Sequence, residues 1–201
     1  MDPAARRSVP PAPATPVRLL RVEAEDRDLV LRAQDGEPWA LEALFRKHVA
    51  PLTSLVIRLT SRHQDADDIV QDALAEALRD IRKLREPAAF RAWLHRIAVN
   101  RVRKRARRRK LTRMLGLDRG LEDATLYQLA SPTATPEMLV ELKLIDEALK
   151  ELSSDERIAW ILRHVEGQTL PEIAQVLGCS LATAKRRIAS ASEGLRRRRS
   201  P

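Results

Sequence analysis

The 201-residue chain is predicted to be all-α, in two small helical domains joined by a flexible linker, and three observations carry that expectation. Glycine occurs only 6 times and aromatic residues make up 3%, so the chain has the composition of helices packed through aliphatic side chains. Apolar residues recur at i, i+3, i+4 and i+7 along most of the length, which gathers them on one face of each helix. The periodicity lapses over residues 112–136, which end in Pro, Ser and Thr, and helical groups flank that stretch on both sides.

Residues 1–24 open with MDPAARRSVPPAPATP, too rich in proline and too poor in large apolar residues to fold alone, and are expected to be a disordered tail. The first domain spans 25–111. From Asp26 onward Leu29, Val30, Trp39, Leu41, Leu44, Phe45, Leu52, Leu55, Val56 and Leu59 fall at helical spacings, in two or three helices broken near Gly36 and Pro51.

The next segment, HQDADDIVQDALAEALRDIRKLREP, is sharply two-sided. Val70, Leu74, Ala77, Leu78 and Ile81 make an apolar stripe, and Asp65, Asp68, Asp72, Glu76 and Asp80 line the far side. Like charges one turn apart cost a few tenths of a kcal/mol per pair, and among sequence neighbours only Arg79 relieves them. The row reads either as a solubilising face or as a docking face for a basic partner helix. A short loop, LREPAAF, then leads into FRAWLHRIAVNRVRKRARRRK. Phe90, Trp93, Leu94, Ile97 and Ala98 form its stripe, and Arg101 to Lys110 holds eight cations in ten residues with no acid. Cations for phosphates beside rings for stacking is the combination that opened nucleic acid needs.

Helix resumes in a second domain, 137–199, with Leu139, Leu142, Ile145, Leu149 and Leu152. Ser153 or Ser154 caps a helix carrying Ile158, Trp160, Ile161, Leu162 and Val165, which ends before Gly167. The stretch TLPEIAQVLGCSLATAKRRIASASEGL reads as a helix-turn-helix. Thr169 caps its first helix, Pro171 sits in the first turn, Gly178 supplies the left-handed residue that ends it, and Ser180 caps the second. In that second helix Leu181, Ala184, Ile188, Ala191 and Leu195 face inward, while Ala182, Arg186, Ala189, Ser190 and Glu193 face outward. Small outer residues let the backbone approach DNA, Arg186 can reach a base edge, and Lys185 and Arg187 on the flanks can reach phosphates. Cys179 lies in the turn, where a small buried apolar residue is wanted.

Net charge of +9 draws the chain toward a polyanion, nucleic acid or an acidic membrane surface. One cysteine permits no intramolecular disulfide, and His48, His63, His95 and His164 are scattered and read as surface or boundary residues, so no metal or cofactor is expected. No catalytic constellation is evident, and the single tyrosine, Tyr127, lies in the linker, which counts against a tyrosine recombinase. No apolar run approaches the roughly 18 residues of a membrane span, nor does the N-terminus carry a hydrophobic signal core. A cytoplasmic, non-enzymatic protein is expected.

An acidic helix, an aromatic and basic helix, a linker and a helix-turn-helix, in that order, resemble a bacterial RNA polymerase sigma factor of the sigma-70 family, specifically its extracytoplasmic-function (ECF) group. The stretch DADDIVQDALAEAL is similar to the family's core-binding helix, FRAWLHRIAVNRVRKRARRRK to its minus-ten helix, and LKELSSDERIAWILRHVEGQTLPEIAQVLGCSLATAKRRIASASEGLR to its minus-thirty-five domain. The resemblance implies that Asp65, Asp68, Gln71, Asp72 and Glu76 pack on the basic coiled coil of the polymerase beta-prime subunit, with the beta subunit a further partner. It implies that the loop Leu84 to Ala89, through Leu84, Arg85, Glu86 and Ala88, holds a flipped-out base of the minus-ten element. Arg91, Trp93, Arg96, Asn100, Arg101 and Arg103 would line the path of the opened strand, and Thr183, Lys185, Arg186, Arg187 and Ser190 would contact the minus-thirty-five duplex. Glu86 and Pro87 stand where many members have a glycine and a polar residue, so the identity of the captured base does not transfer. Many members are held by an anti-sigma factor, a partner the resemblance also allows here. The alternatives are a helix-turn-helix regulator without core-polymerase activity, which leaves the aromatic and basic helix unexplained, and a DNA-recombining enzyme.

Overall fold

The computed structural model describes residues 17–60, 63–115 and 135–199. Its helices are α1 (Val17–Gln34), α2 (Pro38–Thr60), α3 (His63–Asp80), α4 (Phe90–Met114), α5 (Pro136–Lys150), α6 (Ser154–His164), α7 (Leu170–Leu177) and α8 (Leu181–Arg199), with 3-10 turns at Ile81–Lys83 and Pro87–Ala89 between α3 and α4. No strand occurs among the described residues. The expected linker, apart from its two ends, and residues 1–16 of the expected tail lie outside them.

Helix α1 begins at Val17, inside the segment read as tail. Prolines cease at Pro16, and VRLLRVEAE is built of good helix formers, so nothing local prevents an early start. Gly36, with φ of 94°, makes the expected break before α2. Pro51 does not break α2. An interior proline costs about 3 kcal/mol, but Leu52, Leu55, Val56 and Leu59 are buried directly after it. Burying each of those side chains returns about 1.5–3 kcal/mol, so packing outweighs the lost hydrogen bond.

Helix α3 is rotated from the expected stripe. Ala66, Ile69, Val70, Ala73 and Ala77 are buried, whereas Leu78 is 54% exposed. Three alanines let α3 approach its neighbours closely, a preference that weighting by side-chain size does not detect. Phe90, Leu44, Leu52, Leu55 and Leu94 complete the fully buried centre of the first unit.

The second unit follows its local signals closely. Ser153 accepts from the Glu156 backbone N–H while Glu156 accepts from that of Ser153, and Thr169 and Glu172 repeat this reciprocal cap on α7. Gly178 at φ of 62° ends α7, and Ser180 Oγ accepts from Thr183 N–H at 3.2 Å to start α8. Ala184 and Ala191 are buried as expected, but Leu181 is 52% exposed because it occupies the first position of α8, before the helix crosses its neighbours.

The two units touch one another in this arrangement. Helix α4 packs on α7 and α6, and α2 on α6, so one apolar cluster runs from the first unit into α6, α7 and Ala184 of α8. Sequence periodicity assigns a face to each helix but cannot say that two such groups share it.

Candidate partner and nucleic-acid interfaces

Three acids of the α3 row, Asp65, Asp72 and Glu76, are paired by α4, and Asp80 is paired by Lys83 at 2.6 Å. Arg101, Arg105 and Arg109 recur every four residues and therefore share one face of α4, which lies against α3. Arg101 Nη2 reaches Glu76 at 2.5 Å and its Nη1 reaches Asp72 at 3.1 Å. Arg105 pairs with Asp65 at 2.7 Å, and Arg109 pairs with the other oxygen of the same carboxylate. The hydrogen bond to Glu76 is the main reason the Arg101 guanidinium is held above its ordinary pKa. Asp65 is buried by these contacts, while Asp68, Gln71 and Asp72 remain exposed.

Beside that face runs an open apolar groove of about 460 Å³, lined by Pro38, Leu41, Phe45 and Val49 of α2 and by Leu74 and Leu78 of α3. Periodicity assigned both α3 leucines to the core and so missed the groove. A Leu four residues from another beside a charged row, on a helix whose alanines fill the core edge, was the available signal.

The loop after α3 is fixed at both ends. Leu84 and Phe90 are buried, while Arg85, Glu86 and Ala88 between them are exposed. On α4, Arg96 and Asn100 face solvent and Arg91 is half-buried. Trp93 is buried, 5.9 Å from the Phe90 ring, so in this arrangement it packs the core and presents no open face for stacking.

His48 and His95, expected at the surface or a boundary, are buried. His48 Nε2 lies 2.8 Å from Asp26, with its ring edge toward Phe90. Gln168 Nε2 donates to His95 Nδ1 at 2.8 Å across the contact between the two units. Burial above all, then the charges of Arg91 and His48, push the His95 pKa down to about 3, so the ring is neutral and free to accept that bond.

Beside the apolar packing, further contacts between the units are ionic or charge-assisted. Arg58 reaches Glu166 at 2.7 Å, Arg157 donates to the Arg58 carbonyl at 3.0 Å, and Arg103 donates to the Leu177 carbonyl at 3.2 Å. Asp155, in the first turn of α6, takes Arg103 on one oxygen at 2.7 Å and Arg187 of α8 on the other at 2.5 Å. One carboxylate thus holds an arginine from each expected DNA surface. On the outer face of α8, Lys185, Arg186, Ala182 and Ala189 are exposed. Ser190 donates to Glu156 at 2.5 Å, and Thr183 is half-buried in the cap with Ser180.

No group of three or more metal-ligating side chains, and no helix long and apolar enough to cross a membrane, occurs among the described residues. Residues 44–112 match the family description Sigma-70 region 2, and residues 142–193 match Sigma-70, region 4. The chain is 35% identical over 178 residues to the ECF RNA polymerase sigma factor SigM of Mycobacterium tuberculosis, covering 88% of this chain and 86% of that one. It is 30% identical over 182 residues to the RNA polymerase sigma-H factor of Pseudomonas aeruginosa, covering 86% and 93%. Among solved structures, the sigma factor RpoE of Bartonella quintana in complex with the anti-sigma factor NepR superposes with a TM-score of 0.61 at 27% identity, covering 78% of this chain and 94% of that one.

Proposed function

Since the chain belongs to the ECF group of sigma-70 factors, we propose that it divides the work of initiation among α3, the loop and α4, and α8. It binds core RNA polymerase and directs promoter recognition, DNA opening and transcription initiation. It acts as an initiation factor and not as an enzyme, in the cytoplasm. An anti-sigma protein, the class of partner bound to the Bartonella neighbour, is a further expected ligand.

The observation that carries the division of roles is the separation of charge. Helix α3 keeps exposed acid at Asp68 and Asp72, while exposed cations lie on α4 and on the outer face of α8. Asp65, Asp68, Gln71, Asp72 and Glu76 form the polymerase-docking face in this reading. Charge there sets register and encounter rate, and the adjoining Leu74–Leu78 groove supplies the apolar area that a stable interface needs.

Leu84, Arg85, Glu86 and Ala88 hold an unstacked base, and Arg91, Trp93, Arg96, Asn100, Arg101 and Arg103 follow the opened strand. Unstacking costs a few kcal/mol, so these contacts must be strong. Arg101 and Arg103 meet that strand by exchanging Glu76 and Asp155 for phosphates, and Trp93 by leaving its packed position. Release of Arg103 also breaks its bonds to Asp155 and to the Leu177 carbonyl, two of the several contacts that join the second unit to the first, so engagement of the first DNA element loosens the hold on α8.

On α8, Thr183, Lys185, Arg186, Arg187 and Ser190 contact the upstream duplex, with Arg186 reading a base edge. Arg186→Ala is expected to lose about 1–3 kcal/mol at one base pair of the upstream element. Fluorescence anisotropy across single-base promoter variants at fixed salt checks it. Equal weakening of every variant would instead make Arg186 a phosphate contact. The function as a whole is tested by overproducing the chain and mapping the 5′ ends of the transcripts that appear. The reading expects two shared upstream elements at a fixed separation, and unrelated upstream regions would refute it.

A further inference from the structure

The loop that the proposed function assigns to an unstacked base is braced from outside the region-2 match, by the last residue of α1. Gln34 Nε2 donates to the Ile81 carbonyl at 2.8 Å and to the Leu84 carbonyl at 2.8 Å, spanning 47 and 50 residues of sequence. A primary amide has two N–H donors in one rigid plane, and both are used here. Ile81 O also accepts from Leu84 N–H at 3.1 Å, so a single side chain and one backbone bond lock the turn Ile81–Lys83 that opens the loop. These carbonyls are the last fixed points before the exposed tip at Arg85, Glu86 and Ala88. The far end is fixed by Ala89 N–H to Glu86 O at 3.0 Å and by fully buried Phe90.

The brace itself is well founded. Val30 and Ala33 bury the same face of α1, and the helix packs against both 3-10 turns. Gly36 follows at positive φ, with the Arg82 guanidinium 3.5 Å from where a Cβ would stand, so the end of α1 and the start of the loop fit closely.

We infer that Gln34 is a positioning residue that presets the loop for the promoter base it holds, an inference that rests on the proposed role of that loop. A tip ordered before binding spends no binding free energy on ordering itself, and it keeps the difference between the right base and a wrong one. Gln34 touches no DNA in this scheme, so its loss reduces discrimination without reducing polymerase affinity.

The test uses holoenzyme reconstituted from core polymerase and the full chain, on fork-junction promoter DNA carrying each of the four bases at every single-stranded position. Glu86→Ala first locates the position the loop reads, as the one whose base preference it alters. If no position responds, the loop reading fails, and this inference fails with it. Gln34→Met keeps the length and removes both donors. It is expected to lower the best-to-worst base ratio at that position by about tenfold, with polymerase affinity, duplex affinity and preferences elsewhere unchanged. Gln34→Lys, whose ammonium can donate to both carbonyls, is expected to retain the ratio, and faster amide exchange at Leu84 and Ala89 in Gln34→Met alone reports the loosened loop. A Gln34→Met ratio equal to that of the parent would overturn the inference. So would an equal loss at every position together with weakened polymerase binding, or a Gln34→Lys protein indistinguishable from Gln34→Met.

Discussion

Replacing Asp68 and Asp72 together by arginine is expected to abolish binding to core RNA polymerase while leaving the helical content and melting temperature close to those of the parent. Both side chains face solvent, and exposed substitutions away from special features usually change stability by less than about 0.5 kcal/mol. Arg101 loses one partner, Asp72, but keeps Glu76 on two of its nitrogens, so the contact between α3 and α4 survives. Against a basic coiled coil the change converts two attractions into two repulsions, and like charges brought together at an interface cost several kcal/mol. At about 1.4 kcal/mol per tenfold, binding falls by two orders of magnitude or more. A pull-down with purified core polymerase, paired with thermal melts of both proteins, reads the two quantities separately. Affinity equal to the parent's would remove the docking role from this face.

The second large effect concerns stability. Phe90→Ala is expected to cost about 3–5 kcal/mol, the range for emptying an aromatic site in a packed core. Phe90 is fully buried, its ring centroid 5.2 Å from that of His48 and 5.9 Å from that of Trp93, and close packing around it leaves little room for collapse. For a chain of this length each kcal/mol lowers the melting temperature by about 2–4 °C, so a fall of about 10 °C is expected in calorimetry. A fall under about 2 °C would mean that the site collapses freely and that Phe90 does not anchor the end of the loop.

How much of this was legible in the sequence depends on the distance over which each signal acts. The caps at Ser153, Thr169 and Ser180 and the left-handed Gly178 were readable because their chemistry is completed within three residues. The acidic row on α3 was equally local. Its counter-charges were not, since Arg101, Arg105 and Arg109 lie 25 to 44 residues further along the chain. With only Arg79 in view the row looked strained, whereas α4 neutralises its inner half and leaves Asp68 outward. Helical periodicity placed α3 and buried Val70, Ala77 and Ile81 correctly but set the stripe too far round, because Ala66, Ile69 and Ala73 face the core while Leu78, which carried more apolar weight, is exposed. Trp93 shows the same limit, for a ring beside a cationic run suggests stacking, yet the ring packs against Phe90. The joining of the two units through Gln168 and His95 across 73 residues had no local signature at all.

Once attached to polymerase, this chain chooses where transcription begins. Run-off transcription with purified core polymerase, this chain as the sole added factor and a template taken from one of its mapped promoters measures that directly. Transcripts from one defined start, absent without the chain and lost with the Asp68 and Asp72 reversals, are the expected outcome. Polymerase that bound the chain yet gave no chain-dependent start, or that required a second sigma factor, would contradict it.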